Sequence, residues 1–190
     1  MRHVYQYLIP ALWIAWSVYW WFSAQNVKAT LRHEPAWSRA AYMLPLAIAI
    51  ALLALPSLPG DMLAGRLLPR RAETFWTGTA LVALGLAFSI WARALLGRNW
   101  SGTVTIKEDH ELIRAGPYRL VRHPIYAGLL LAIVGSAVAR GEWRGMIAFV
   151  LAAVALWRKL RLEERWLTET FGTRYDEYRK QVRALIPFVL

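Results

Sequence analysis

The sequence predicts an all-α integral membrane protein of about five transmembrane helices, ending in a helical hairpin and a cytoplasmic amphipathic tail. Three observations predict it. Of the 190 residues, 57% are hydrophobic and 11 are Trp, against roughly 45–50% apolar residues in soluble domains. The apolar residues are gathered into five runs at or near bilayer-crossing length. The net charge of +11 lies between those runs rather than on a soluble basic face, which points to anionic lipid and the positive-inside rule rather than to nucleic acid.

The runs fall at residues 4–24, 41–58, 75–96, 124–139 and 143–157. About 20 helical residues cross roughly 30 Å of hydrocarbon, and the first three runs qualify. The stretch MRHVYQYLIPALWIAWSVYWWFSA reads as a first membrane helix rather than a signal peptide. Its apolar core is long and crowded with Trp and Tyr, and no small-residue cleavage site follows. The last two runs are short, and only RGEW separates them. That spacing suits a tight hairpin crossing twice, with tilt or local thinning absorbing the mismatch; a re-entrant pair is the alternative.

Charge sets the orientation. Seventeen cations follow the first, third and fifth runs, among them Lys28, Arg98, Arg122 and Arg183, while six lie on the other side: Arg2, Arg66, Arg70, Arg71, Arg140 and Arg144. The heavier side is expected to be cytoplasmic, with the N-terminus outside and the C-terminus inside. Residues 97–123 and the tail from Arg158 share that side. The fifth helix is expected to run on past the membrane, because Leu156, Leu160, Leu167 and Phe171 recur at helical spacing and Gly172 is a natural stop. A second amphipathic helix ended by Pro187 is expected after it. No repeat, low-complexity stretch or dividing linker is evident, so residues 1–190 read as one domain: 1–96 with three membrane helices, and 97–190 with the chemistry.

With no Cys in the chain, disulfides, thiolate nucleophiles and Cys-based zinc sites are excluded. The four His, at positions 3, 33, 110 and 123, lack metal-ligand spacing, so no metal is expected. No GxGxxG, P-loop, HExxH or Ser-His-Asp pattern is present. Two polar constellations remain. In HELIRAGPYRLVRHPIYAG, Gly116-Pro117 makes a turn and Pro124 suits the first turn of the fourth helix, where its missing N–H costs nothing. His123 then lies at or beside the N-cap, where free N–H groups and the helix dipole favour an anion. An ordinary membrane crossing, with Arg119 and Arg122 snorkelling and Tyr118 and Tyr126 in an aromatic belt, accounts for the same residues. In KLRLEER, Lys159 and Glu163 share a helical face. They read either as a solvated pair or, because the hairpin returns them towards His123, as part of a site.

These segments, in this order and spacing, resemble the isoprenylcysteine carboxyl methyltransferase family, within a wider group that includes membrane phospholipid N-methyltransferases. RHPIYAG, EE, FGTRYDEY and LIP carry the resemblance, over about residues 99–188. It implies an integral-membrane transferase without a Rossmann domain that uses S-adenosylmethionine, with S-adenosylhomocysteine as product. It implies catalytic roles for Glu163, Lys159 and Arg161. It implies cofactor contacts from His110, Glu111, Leu112, Ile113, Gly116, Tyr118, Arg122, His123, Pro124, Ile125, Tyr126, Glu163, Glu164, Tyr175 and Tyr178. The family's substrate-binding Arg falls on Lys159, which cannot make a bidentate clamp on a carboxylate; Arg158 or Arg161 could replace it. The implied acceptor is lipophilic, an isoprenylcysteine-type carboxylate, with a phospholipid amine or a small thiol as alternatives. No nucleic acid and no required protein partner are expected beyond the bilayer. Other classes are a sterol-type reductase binding NADPH, whose chains are typically longer, and a non-enzymatic scaffold or transporter. Against the latter, helices one, two, four and five carry no charge at mid-span.

Overall fold

Residues 2–55, 63, 65–107 and 111–187 are described by a computed structural model of the chain. Helices form where the apolar runs predicted them: α1 Arg2–Ala24, α2 Ala36–Ala54, α3 Ala72–Leu96, α4 Pro124–Arg140 and α5 Trp143–Phe171, followed by the short α6 Thr173–Gln181. Helices α2 and Ala72–Asn99 are long and apolar enough to cross a bilayer, and Pro124–Arg140 is a shorter apolar helix. Large apolar side chains point outward, Trp21, Leu44, Leu84 and Val154 each being more than 60% exposed. A water-facing surface would not carry such a belt, because contiguous exposed apolar area marks a partner or a membrane.

Helices α3 and α4 approach until their backbones touch. A Cβ added at Gly85 would lie 2.4 Å from the Gly128 carbonyl oxygen, and one at Gly78 would lie 2.5 Å from that of Gly135. Glycines seven residues apart on each helix form two contact points along an antiparallel crossing. In an apolar surround, where burial against lipid drives little, close backbone packing of this kind supplies the association. Helix α1 is tied across the crossing by two indoles: Trp13 Nε1 donates to Ser136 Oγ at 3.0 Å and Trp16 Nε1 to Ser89 Oγ at 2.8 Å. Arg93 is buried at the end of α3, where its guanidinium donates to the Gly97 and Ser23 carbonyls and lies 4.6 Å from the Trp100 ring.

The hairpin turn is as tight as RGEW required. Gly141 caps α4 with φ of 66°, a left-handed conformation that suits Gly, and its carbonyl accepts from Leu67 N–H at 2.8 Å. Helix α5 has 29 residues, about 43 Å at 1.5 Å per residue, longer than the roughly 30 Å that a hydrocarbon core measures. It stops at Gly172, whose φ is 53°. Two features depart from the expected all-α pattern. Thr30–His33 (β1) pairs antiparallel with Thr105–Lys107 (β2), His33 opposite Thr105, giving backbone partners to two loops at the polar end of the bundle. The tail leaves the helix at Val182, short of Pro187, because Arg183 forms a parallel bridge with Val121.

Candidate active site

Two segments converge at the polar end of the bundle: the first turn of α4 and the part of α5 beyond residue 157. His123 is the N-cap of α4, with Pro124 at the first helical position. The returning tail fixes this turn, since Arg122 N–H donates to the Arg183 carbonyl at 2.8 Å and His123 N–H to that of Ala184 at 3.0 Å. The His123 ring is 6% exposed and lies between two carboxylates, with Nδ1 3.6 Å from Glu163 Oε2 and Nε2 3.4 Å from Glu164 Oε1. It also stacks on Tyr126, the planes 2° apart and the centroids 5.6 Å apart.

The two acids, about 100° apart around the helix, meet different partners. Arg122 donates to Glu164 Oε1 from Nε at 2.8 Å and from Nη2 at 2.5 Å, and its Nη1 donates to the Val182 and Arg179 carbonyls. Burial pushes the Glu164 carboxyl up. The hydrogen bonds and charges of His123 and Arg122 outweigh it and hold the group at about 2. Glu163 instead accepts from the Tyr126 hydroxyl at 2.5 Å, and its side chain stays 22% exposed against 7% for Glu164.

Glu163 opens onto a cavity of about 440 Å³, within the range of small-molecule sites. Its apolar wall comes from Trp16 and Trp20 of α1 and from Met43 and Leu46 of α2. Lys159 lines the cavity one turn before Glu163, is 8% exposed, and donates to the Gly102 carbonyl at 2.7 Å. Its Nζ is 5.4 Å from both the Tyr42 and Tyr126 ring centroids. Burial lowers the Lys159 pKa, an effect that Glu163 and Glu34 only partly offset. Glu34 is 3% exposed and braces the opposite wall: its Oε1 accepts from the Tyr42 hydroxyl and from Val104 N–H at 3.1 Å.

Of the residues singled out in the sequence, Leu112, Ile113, Tyr118, Arg122, His123, Pro124, Ile125, Tyr126, Lys159, Glu163, Tyr175 and Tyr178 line this cavity together. Glu111 lines its rim, 69% exposed and 3.6 Å from Lys28. His110 lies outside the described residues. Gly116 stands behind the wall: its φ is 56°, and an added Cβ would lie 2.4 Å from Leu95 Cδ1. Glu164 and Arg161 face away, into a separate groove. Sequence reading missed the contributions of Trp16, Trp20, Tyr42, the 99–105 segment and the buried Glu34. For Glu34 there was a signal, an isolated acid before Pro35 in a basic stretch.

A helical bundle whose last hairpin and returning tail enclose a cavity at its polar end is the class of architecture in hand. Residues 74–174 match the family described as phospholipid methyltransferase, and the chain belongs to that family. It is 33% identical over 120 residues to a probable protein-S-isoprenylcysteine O-methyltransferase of Oryza sativa subsp. indica, covering 60% of this chain and 61% of that one. It is 34% identical over 118 residues to protein-S-isoprenylcysteine O-methyltransferase B of Arabidopsis thaliana, covering 59% and 58%. The match thus spans about three-fifths of the length of these plant relatives. The fold is shared with the eukaryotic intramembrane Ras methyltransferase (isoprenylcysteine carboxyl methyltransferase), at a TM-score of 0.56 and 22% identity, over 84% of this chain and 55% of that one.

Proposed function

We propose that the chain is an integral-membrane, S-adenosylmethionine-dependent methyltransferase acting on a lipophilic acceptor, an isoprenylcysteine-type carboxylate in first place. In this reading α1 to α5 span the bilayer, and the cavity and C-terminus face the cytoplasm. One observation carries it: a single cavity joins an apolar wall from two outward-facing helices to a polar end built on Glu163, His123 and Lys159. Such a space suits two reactants of opposite solubility.

The residues present fit the cofactor. Glu163 is a carboxyl group partly open to the cavity and oriented by Tyr126 and His123, so it is suited to bind an ammonium. Tyr118, Tyr175 and Tyr178 offer aromatic surface beside it. When bound, S-adenosylmethionine supplies an electrophilic methyl group. The protein's part is to orient and to exclude water. Arg122 and Glu164 hold the tail over α4 and so close the cytoplasmic side. Lys159, buried in the cavity wall one turn before Glu163, offers its Nζ as the partner for an acceptor carboxylate. A carboxylate is ionised at neutral pH and needs no base, which suits a site whose Glu163 is already committed to Tyr126 and His123.

Titration of the purified protein with S-adenosylhomocysteine and with NADPH tests the class. Saturable binding of the first alone supports the reading; binding of NADPH alone makes the protein a reductase.

A further inference from the structure

The stretch of α5 that leaves the membrane carries a second feature, on the face turned away from the cavity. Arg161, Arg179, Lys180 and Arg183 line an open groove of about 640 Å³ between α5, α6 and the strand-like tail, with Trp157 at its edge. Two acids face it. Asp176 is one; the other, Glu164, is already taken up by Arg122, with Arg179 Nε 4.0 Å away. The groove therefore keeps a strong positive excess.

It is also continuous with the lipid-facing surface. Val150, Val154 and Trp157 are 51%, 62% and 40% exposed, and their spacing of four and three residues puts them on one stripe of α5. The next position on that stripe is Arg161, exposed and in the groove. An apolar track of about 10 Å along the helix, room for part of an acyl chain, thus ends in a cluster of guanidinium and ammonium groups.

We propose that this groove binds an anionic diacyl phospholipid, with the phosphate among Arg161, Lys180 and Arg183 and an acyl chain along Val150, Val154 and Trp157. Basic pockets beside membrane helices recognise headgroups in this way, and guanidinium groups meet phosphate oxygens in a paired geometry. The site is distinct from the methyl-transfer cavity: Arg122 lines both, and its pair with Glu164, which faces the groove alone, stands between them. The proposal rests on the membrane reading above, which sets the lipid against α5.

The test uses the full chain in a neutral detergent, with melting temperature read against short-chain phosphatidylglycerol, short-chain phosphatidylcholine and inorganic phosphate. Bound ligand raises the melting temperature by mass action. Phosphatidylglycerol is expected to raise it saturably, the other two not. The double variant Lys180→Gln, Arg183→Gln is expected to need at least tenfold more phosphatidylglycerol while S-adenosylhomocysteine affinity holds. Equal effects of the two lipids, an unchanged response in the double variant, or a matching effect of inorganic phosphate overturns the lipid site. Binding of S-adenosylhomocysteine to the same samples separates the two claims. Its loss with the lipid response intact sinks the methyltransferase reading alone.

Discussion

Glu163 and Glu164 are consecutive residues that grip opposite nitrogens of one imidazole, Glu163 from 3.6 Å at His123 Nδ1 and Glu164 from 3.4 Å at Nε2. Their remaining partners give them different tasks. Glu163 is open to the cavity, and Glu164 locks Arg122 to the tail. Glu163→Gln is therefore expected to weaken S-adenosylhomocysteine binding by about ten- to a hundredfold, the value of a charge-assisted hydrogen bond of about 1.5–3 kcal/mol, with the melting temperature nearly unchanged. Glu164→Gln is expected to do the reverse in kind, lowering stability by about 3–5 kcal/mol, the cost of breaking a buried pair from one side. Calorimetric titration alongside thermal melts of both variants checks this. A variant pair with interchangeable behaviour contradicts it.

Glu164 also sets a pH dependence. Its carboxyl is held at about 2, against about 4.3 in an unfolded chain. A depressed carboxyl stabilises the fold fully above the unfolded value, and that contribution is lost as pH falls from roughly 4 towards 2. The wild-type melting temperature in detergent should decline through that window. Glu164→Gln should start lower and decline less. Parallel curves for the two proteins would remove Glu164 from the account.

The α3–α4 crossing makes a stability prediction that does not involve the site's chemistry. Gly85→Val places side-chain atoms where the Gly128 carbonyl already lies, 2.4 Å from the added Cβ, and backbone cannot yield as a flexible side chain can. A loss of at least about 3 kcal/mol is expected, at the upper end of overpacking effects. Leu84→Val, one residue away and 62% exposed to the outside, should change stability little. Thermal melts of the two variants decide it, and equal losses would argue that the helices are not in backbone contact.

Much of this arrangement could be read from the residues themselves, where local signals suffice. Leu156, Leu160, Leu167 and Phe171 at helical spacing, closed by Gly172, marked the extent of α5 to Phe171, and the His-Pro pair marked the start of α4. What could not be read depends on long-range meetings. Glu34 is recruited by Tyr42 and by Val104, seventy residues on. The β1–β2 pair joins loops that neither sequence pattern nor propensity links. Which of two adjacent glutamates faces the cavity came from the family resemblance, which pointed to Glu163, and not from local pattern, since both lie within reach of α4 until the helix's rotation is set by its packing on α2. The tail's departure from helix at Val182 follows from carbonyls that Arg122 and His123 capture, contacts that helical periodicity alone gives no hint of.

The tail's role gives a further expectation. Tyr175 and Tyr178 come from α6 into the cavity wall, the Tyr178 hydroxyl donating to the Tyr118 carbonyl at 2.5 Å. Deleting residues 173–190 should abolish S-adenosylhomocysteine binding while circular dichroism shows the long helices intact. Wild-type affinity in the truncated protein would place the cofactor elsewhere.

The most direct measurement of the central claim is methyl transfer itself. Purified protein in lipid would be incubated with methyl-labelled S-adenosylmethionine and a prenylated cysteine bearing a free carboxylate, and base-labile label, the mark of a methyl ester, would be counted. The account predicts labelled ester from the wild type, a large loss with Glu163→Gln and with Lys159→Gln, and partial retention with Lys159→Arg. Ester formed at the same rate when Glu163 and Lys159 are both replaced, or none formed by a wild type that binds S-adenosylhomocysteine, would contradict the carboxylate assignment.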